Sequence, residues 1–382
     1  MGSGPGEKRH PAQHYETIDL HLVLRVEAPH GAVPVEPCRA ERRHLRMLFH
    51  ETDTGSKIIH EPAHTAVIEI NQPRVAAVDQ QTGRRLMHDA VLGPVSRQRD
   101  ALLAKMSPPA NPIGSLTLDE AVAAPPYLTA VDIHCMPGGY MADLAGPLYD
   151  RIVHIYAMAG WGPDNGAMGR TVTDYIRQAH PGLKPARILD MGCGIGNSTL
   201  PYADAFPEAE IQAIDVSAPQ LRYAHARAEA LGKAVHFRQA DATATPYPDA
   251  CFDLIVSHIL LHETSAKAIR QVMAEGHRLL RPGGLMLHVD LALYDGMDPF
   301  DAFMLDWDTH HNNEPFWGTF RDMDAGALLT QAGFAPEDLV SALVSRTGNA
   351  AHVFSEKRDS GGRRYWQIVG AAKPAADAAR AA

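Results

Sequence analysis

The chain has 382 residues, 45% of them apolar, and a net charge of −10 from 35 Lys and Arg against 45 Asp and Glu. That length can bury a large core and predicts two domains, while the acidic balance argues against a nucleic-acid partner, because phosphate binding needs clustered Lys and Arg. The four cysteines, at 38, 135, 193 and 251, form no C-x-x-C pair, which argues against zinc and disulfide frameworks, and no apolar leader or long apolar run marks a membrane partner, so a cytoplasmic protein is expected.

Residues 1–13 are polar and rich in Gly and Pro, and read as disordered. Residues 14–125 read as an N-terminal β-rich accessory region and linker. Thr17–Glu27 alternates, with Ile18, Leu20, Leu22, Leu24 and Val26 on one face, the period of a half-buried strand. Further strand-like pieces follow at Arg46–His50, Lys57–His60, Thr65–Ile70, Arg74–Asp79 and Arg84–His88. A proline-rich connector over 91–125 carries one helical piece, Ser96–Met106. The basic cluster Arg39–Arg46 is interrupted by Glu41 and reads as a solvated face. An extra unit of this size suits a homodimer contact or a cover for an active site.

Residues 126–180 read as a helical cap with helices at Leu148–Ala159 and Thr171–Ala179, 181–373 as an α/β domain, and 374–382 as a loose tail. The α/β domain opens on Ala186–Gly196, A-R-I-L-D-M-G-C-G-I-G. Ile188, Leu189 and Met191 make a buried strand, Gly192, Gly194 and Gly196 a turn, and Ser198–Phe206 the following helix, the arrangement of a nucleotide-type cofactor site. In G-x-G-x-x-G the third glycine would fall on Asn197, but here it comes at Gly196. No phosphate-cradling G-x-x-x-x-G-K-S/T is present. Asp190 at the strand end favours a ligand carrying positive charge and repels a pyrophosphate. Strands at Ile211–Asp215, Val235–Asp241, Cys251–Leu261 and Leu285–Asp290 follow, the last preceded by a helix over 266–280 and by Leu280-Arg281-Pro282-Gly283-Gly284.

D-M-G-C-G-I-G closely resembles the first motif of the class I S-adenosylmethionine-dependent methyltransferases, and L-R-P-G-G before the fifth strand is a frequent feature of that family. The resemblance extends over some 180 residues and is closest to quinone-biosynthesis and natural-product enzymes. It implies an α/β, Rossmann-like, doubly wound sheet, mostly parallel with an antiparallel last strand, that binds S-adenosylmethionine. Carried onto this sequence, it places Asp190, Gly192, Cys193, Gly194 and Gly196 at the cofactor. It also implies Asp215 on the ribose hydroxyls with Val216 beside it, Asp241 on the adenine amine with Ala242, Ser257 at the fourth strand's end, and Tyr149 of a Tyr149-Asp150 pair in the cap.

After Asp290, the segment Asp295–Phe320 reads as a lid, with Trp307, Phe316, Trp317 and Phe320 for apolar surface and His310, His311, Asn312 and Glu314 for polar groups. An amphipathic helix at Asp324–Phe334 and strands at Leu339–Val344 and Arg364–Ala371 complete the domain. Methyl transfer is an in-line displacement that needs an oriented nucleophile and, for some acceptors, a base. The catalytic candidates are His262 and Glu263 leaving the fourth strand, and His310 or His311 in the lid. Adjacent helical side chains point about 100° apart, so one of those two is expected to serve. His262, Glu263, His310, His311 and Glu314 are of types that suit iron, zinc or manganese, yet no tight spacing such as H-E-x-x-H is present, and no metal is expected. The expected partner is a small-molecule acceptor, methylated on O, N, C or S, with aromatic walls that suit a flat or apolar compound. The alternative of another class is a methyltransferase-like protein that binds its ligand without transfer.

Overall fold

The computed structural model describes residues 49–51, 57–59, 80–157, 160–345 and 365–375. The chain divides into two compact units, Met1–Ala77 and Val78–Ala382. In the first, β1 (Phe49–Glu51) and β2 (Lys57–Ile59) pair antiparallel, Phe49 opposite Ile59. The expected strands at Thr17–Glu27, Thr65–Ile70 and Arg74–Asp79 lie outside the described residues, as do 1–13 and most of the tail.

The second unit opens with α1 (Gln80–Arg97) and α2 (Arg99–Lys105). This corrects the expected strand at Arg84–His88. Arg84, His88 and Val91 are buried together at spacings of four and three, the period of a helix face. That face packs with Met136, Ala145, Leu148 and Ile152. Residues 78–125 fall within the second compact unit. Within that stretch β3 (Ser115–Thr117) adds a parallel edge strand to the main sheet, Ser115 opposite His236. Three residues are too few for any periodicity to announce it.

The cap contributes α3 (Tyr127–Ala130), α4 (Ala145–Tyr156) and α5 (Ala167–Ala179). The sheet domain then runs β4 (Arg187–Met191), α6 (Leu200–Ala205), β5 (Glu210–Asp215), α7 (Ala218–Ala230), β6 (His236–Gln239) and β7 (Phe252–His258). It continues with α8 (Ala266–Leu279), β8 (Leu280–Asp290), α9 (Pro299–His311), α10 (Trp317–Arg321), α11 (Ala325–Gln331), β9 (Leu339–Ser345) and β10 (Tyr365–Ala372). Helix starts follow local chemistry: Ser217 accepts the N–H of Gln220 at 3.3 Å, Ser265 that of Ala268 at 3.3 Å, and Asp298 that of Phe300 at 2.9 Å.

The eight strands are ordered β3-β6-β5-β4-β7-β8-β10-β9. β10 lies antiparallel to both neighbours, and the other strands run parallel. This is the expected doubly wound sheet with a reversed last strand. Ile188, Leu189 and Met191 of β4 are fully buried at its centre, each contributing about 1.5–3 kcal/mol of transfer free energy. The stretch Leu280–Gly284, expected ahead of the strand, lies inside β8. Leu280 faces Phe252 and Leu285 faces Leu254, so the intervening residues bulge out of the ladder. Sequence order reverses between β4 and β7, and a crevice at such a switch point is where open α/β sheets bind ligands. Among the described residues no helix is long and apolar enough to cross a membrane.

Candidate active site

The crevice beyond β4 and β7 is a cleft of about 810 Å³. Its floor is the glycine turn. The N–H groups of Gly192 and Cys193 both reach the carbonyl of Ile214, at 2.8 and 2.9 Å, which folds the turn over the end of β5. Gly192 has φ +73°, and a Cβ there would stand 2.6 Å from Leu260. Gly194 has φ +52°, and a Cβ would meet Gln220 Oε1 at 3.0 Å. Gly196 packs toward Phe237 and Ala224 beneath the turn and does not line the cleft.

Asp215 is held open-handed at the cleft wall. Gly194 N–H donates to its Oδ2 at 2.9 Å and Ser217 N–H to its Oδ1 at 2.8 Å. Each oxygen keeps an acceptor position for another donor. Burial raises its pKa, against the opposing pull of those two N–H groups. Asp190 is nearly buried, accepting from Thr199 Oγ1 at 2.5 Å, with Oδ1 3.4 Å from His258 Nδ1, whose Nε2 meets Tyr202 OH at 3.1 Å. Burial lifts the Cys193 thiol well above its ordinary value, so Cys193 sits at the cleft as an uncharged side chain. The opposite wall comes from the cap: Tyr127, Leu128, Tyr140 and Tyr149. Ser217 Oγ donates to the Tyr140 carbonyl at 2.6 Å and clips the cap onto α7.

Asp190, Asp215 and Glu263 line this cleft, and no Lys or Arg does. Three carboxylates and three tyrosine rings suit a ligand with positive charge and repel a polyphosphate. The diol-ready Asp215 and the close-approach glycines fit the ribose and amino-acid parts of S-adenosylmethionine. Val216 lines the cleft as well. Asp241, Ala242 and Ser257 do not. Asp241 accepts the N–H of Thr243 at 2.8 Å, and Ala242 packs against the core. Ser257 is corrected as a cofactor contact: strand alternation turns it into the sheet, where Oγ lies 2.7 Å from His288 Nδ1. Tyr149 faces the cleft while its neighbour Asp150 faces away, bonded to Tyr223 at 2.7 Å, Arg227 at 3.1 Å and Asn165 at 2.8 Å.

A second cavity of about 1050 Å³ adjoins the first, and Tyr149 and Ile259 line both. Its walls are mainly apolar and aromatic, with Met136, Ile152, Leu291, Leu305, Trp161, Trp317 and Trp366. The polar groups are Arg84, His88, His134, His262, Asp308 and Arg321. Arg321 is 2% exposed, donates to the Leu305 carbonyl at 2.9 Å, and lies 5.4 Å over the Trp317 ring.

The two cavities meet at a cluster of acids and histidines. His262 Nδ1 lies 2.5 Å from Asp290 Oδ1, and Asp290 also accepts the N–H groups of Leu261 at 2.9 Å and Leu291 at 2.7 Å. Burial opposes the charged imidazole, but the Asp290 carboxylate outweighs it and raises the pKa to about 9. Glu263 Oε1 accepts from Tyr140 OH at 3.0 Å and lies 3.4 Å from both His262 Nε2 and His134 Nε2. Burial would raise its pKa, yet the two histidines hold it well below the carboxylate range.

His262 and Glu263 both belong to this group, whereas His310 and His311 do not. Leu305, Asp308 and Asn312 form the inward face of α9 and its end, at i, i+3 and i+7, and the two histidines lie outside it. His311 tilts onto Trp307 at 4.3 Å and His310 stands edge-on to His311 at 5.1 Å. Neither lines either of the two cavities. Sequence reasoning missed His134 and Tyr140 as parts of the site. Asp290 was signalled by its place at a strand end; His134 carried no local signal.

Residues 188–284 match the family described as "Methyltransferase domain", and the sheet order and cleft around them agree with the class I S-adenosylmethionine-dependent fold expected from the glycine motif. The chain is similar, at 36% identity over 27% of its own length and 46% of the relative's, to a demethylmenaquinone methyltransferase of Thermus thermophilus. It is 37% identical to a malonyl-[acyl-carrier protein] O-methyltransferase of Pseudescherichia vulneris over 28% of this chain and 40% of that one. It is 31% identical to the 27-O-demethylrifamycin SV methyltransferase of Amycolatopsis mediterranei over 40% and 56%. The chain thus spans about half the length of the curated relatives it matches.

Proposed function

We propose that the protein transfers the methyl group of S-adenosylmethionine to a small-molecule acceptor held in the second cavity. One observation carries this reading: the two cavities share a wall at Tyr149 and Ile259, at the carboxyl ends of β4 and β7. A donor in the first cavity and an acceptor in the second would meet there without water between them. The cofactor supplies an electrophilic methyl carbon on a sulfonium. Asp215 would hold the ribose, and the Tyr140 and Tyr149 rings would flank the charged end.

His262 is the residue placed to take a proton from the acceptor, in the neutral form that becomes populated as pH rises toward its pKa of about 9. It lines the second cavity, and Asp290 orients its ring and stabilises the imidazolium that forms. The apolar and aromatic walls suit a flat or apolar acceptor with one ionisable group. Leu305, Asp308 and Trp317 of the expected lid segment form the outer wall, and its closing over substrate belongs to this proposal. The relatives' names range from a demethylmenaquinone to an acyl-carrier-protein-bound malonyl group and a tRNA cytidine, and select no acceptor.

The test is product formation, measured as S-adenosylhomocysteine release by mass spectrometry across panels of phenols, carboxylic acids, amines and enols, beside calorimetric binding of the cofactor. Turnover on one panel with a matching mass gain of one methyl supports the reading. Tight cofactor binding with no turnover on any panel would move the protein to the binding class.

A further inference from the structure

Three segments distant in sequence bring three metal-ligating side chains to one point. His134 comes from the turn Ile133–Cys135, Glu263 from Leu261–Glu263 at the exit of β7, and Glu314 from the stretch after α9. Each offers one ligand atom, and those atoms all lie within 4.8 Å of one another. The backbone is strained where the segments converge: His134 has φ 55°, Ile259 φ 51° and Asn313 φ 58°. Asn313 Nδ2 donates to the Asp132 carbonyl at 2.9 Å and so ties two of the segments together.

Glu314 is the independent indication. It is 7% exposed, and neither of its oxygens, nor Glu263 Oε2, has a protein partner in hydrogen-bond geometry. Its Oε1 is ion-paired with His134 Nδ1 at 2.6 Å. Buried carboxylate oxygens are ordinarily satisfied, and the two left without a partner, Glu314 Oε2 and Glu263 Oε2, suit a cation.

Charge counting agrees. Asp290 already matches His262, which leaves His134 facing two carboxylates, Glu263 and Glu314. A divalent ion with neutral His134 brings that sum to zero.

We infer that His134, Glu263 and Glu314 bind a divalent first-row metal ion at the wall between the two cavities. The mixture of imidazole and carboxylate donors suits zinc, manganese or ferrous iron. The sequence spacing concealed the set, because His134 lies 129 residues before Glu263 and 180 before Glu314. In use the inference rests on the transfer reading. Glu263 lines the cofactor cleft and His134 the second cavity, so the ion would favour an acceptor that presents an oxygen to it.

The experiment is calorimetric titration of chelator-treated full-length protein with Zn²⁺ and, separately, Mn²⁺. One saturable site per chain is expected with Kd of ~1 µM or tighter for at least one of the two ions. Glu314→Gln and His134→Gln should each weaken it at least ~10-fold. The double variant His310→Ala, His311→Ala should bind metal as the parent does. S-adenosylmethionine affinity, measured on every variant, reports that the domain is folded. The wild-type titration decides alone if a variant fails to fold. Absence of a saturable site, unchanged affinity in folded Glu314→Gln and His134→Gln, or loss that follows His310 and His311 would each overturn the inference. Turnover by protein that shows no saturable metal site overturns the ion and leaves the transfer reading standing; a metal site without turnover does the reverse.

Discussion

The two cavities are built in different ways. The cofactor cleft takes its floor from the consecutive turn Gly192–Gly194 and the ends of two neighbouring strands, β4 and β5, paired in parallel register. The second cavity takes Arg84 and His88 from α1, Ile152 from α4, His262 after β7, Leu305 from α9 and Trp366 from β10. A local turn fixes the first, so its chemistry is constrained by strand and glycine geometry. The second is a meeting of surfaces from distant segments, and it is free to vary without disturbing the sheet. That separation suits an enzyme with a fixed donor and a chosen acceptor.

Breaking the second cavity without touching the first should have the largest effect. His262→Ala should lower turnover ~10²–10⁴-fold, the range for losing a general acid–base group. Cofactor affinity should stay within ~2-fold, since His262 does not line the cleft. Single-turnover kinetics beside calorimetry checks both, and a parallel fall in cofactor affinity would show that the cavities are not separable.

The sheet beneath the two cavities can be probed through pH. His288 is fully buried in β8, and burial lowers its pKa to about 4. Its folded value is depressed below that of the unfolded chain, so its contribution is complete above about pH 6.5 and is lost as pH falls toward 4. The loss amounts to roughly 2–3 kcal/mol at about 1.4 kcal/mol per unit. Urea unfolding between pH 7 and 4 should show this decline, and His288→Leu should flatten it.

The smallest expected effect tests the first cavity alone. Asp215→Ala should weaken S-adenosylmethionine binding by at least ~10-fold, through the loss of charge-assisted bonds to the ribose hydroxyls. Affinity equal to the parent's in calorimetry would remove Asp215 from the site. If binding falls while turnover at saturating cofactor holds, the contrast between the two cavities is sharpened.

The sheet and its cofactor were legible because their signals are local. The run Ile188–Met191 is buried on both faces, the glycines follow at once, and Asp215 ends the next strand, all within a short span of chain. Apolar periodicity and turn chemistry act over a few residues, so sequence alone determined the order of strands and the class of ligand. The helix at Arg84–His88 was misread as a strand because five residues are too few to fix a period, and only packing against α4 settles it. His310 and His311 carried the right chemistry, but the rotation of α9 turns Leu305 and Asp308 to the cavity in their place. His134, Glu263 and Glu314 show no pattern in one dimension. Their proximity follows from how a cap turn, a strand exit and a post-helical stretch pack together, and long-range packing alone decides which distant side chains share a buried site.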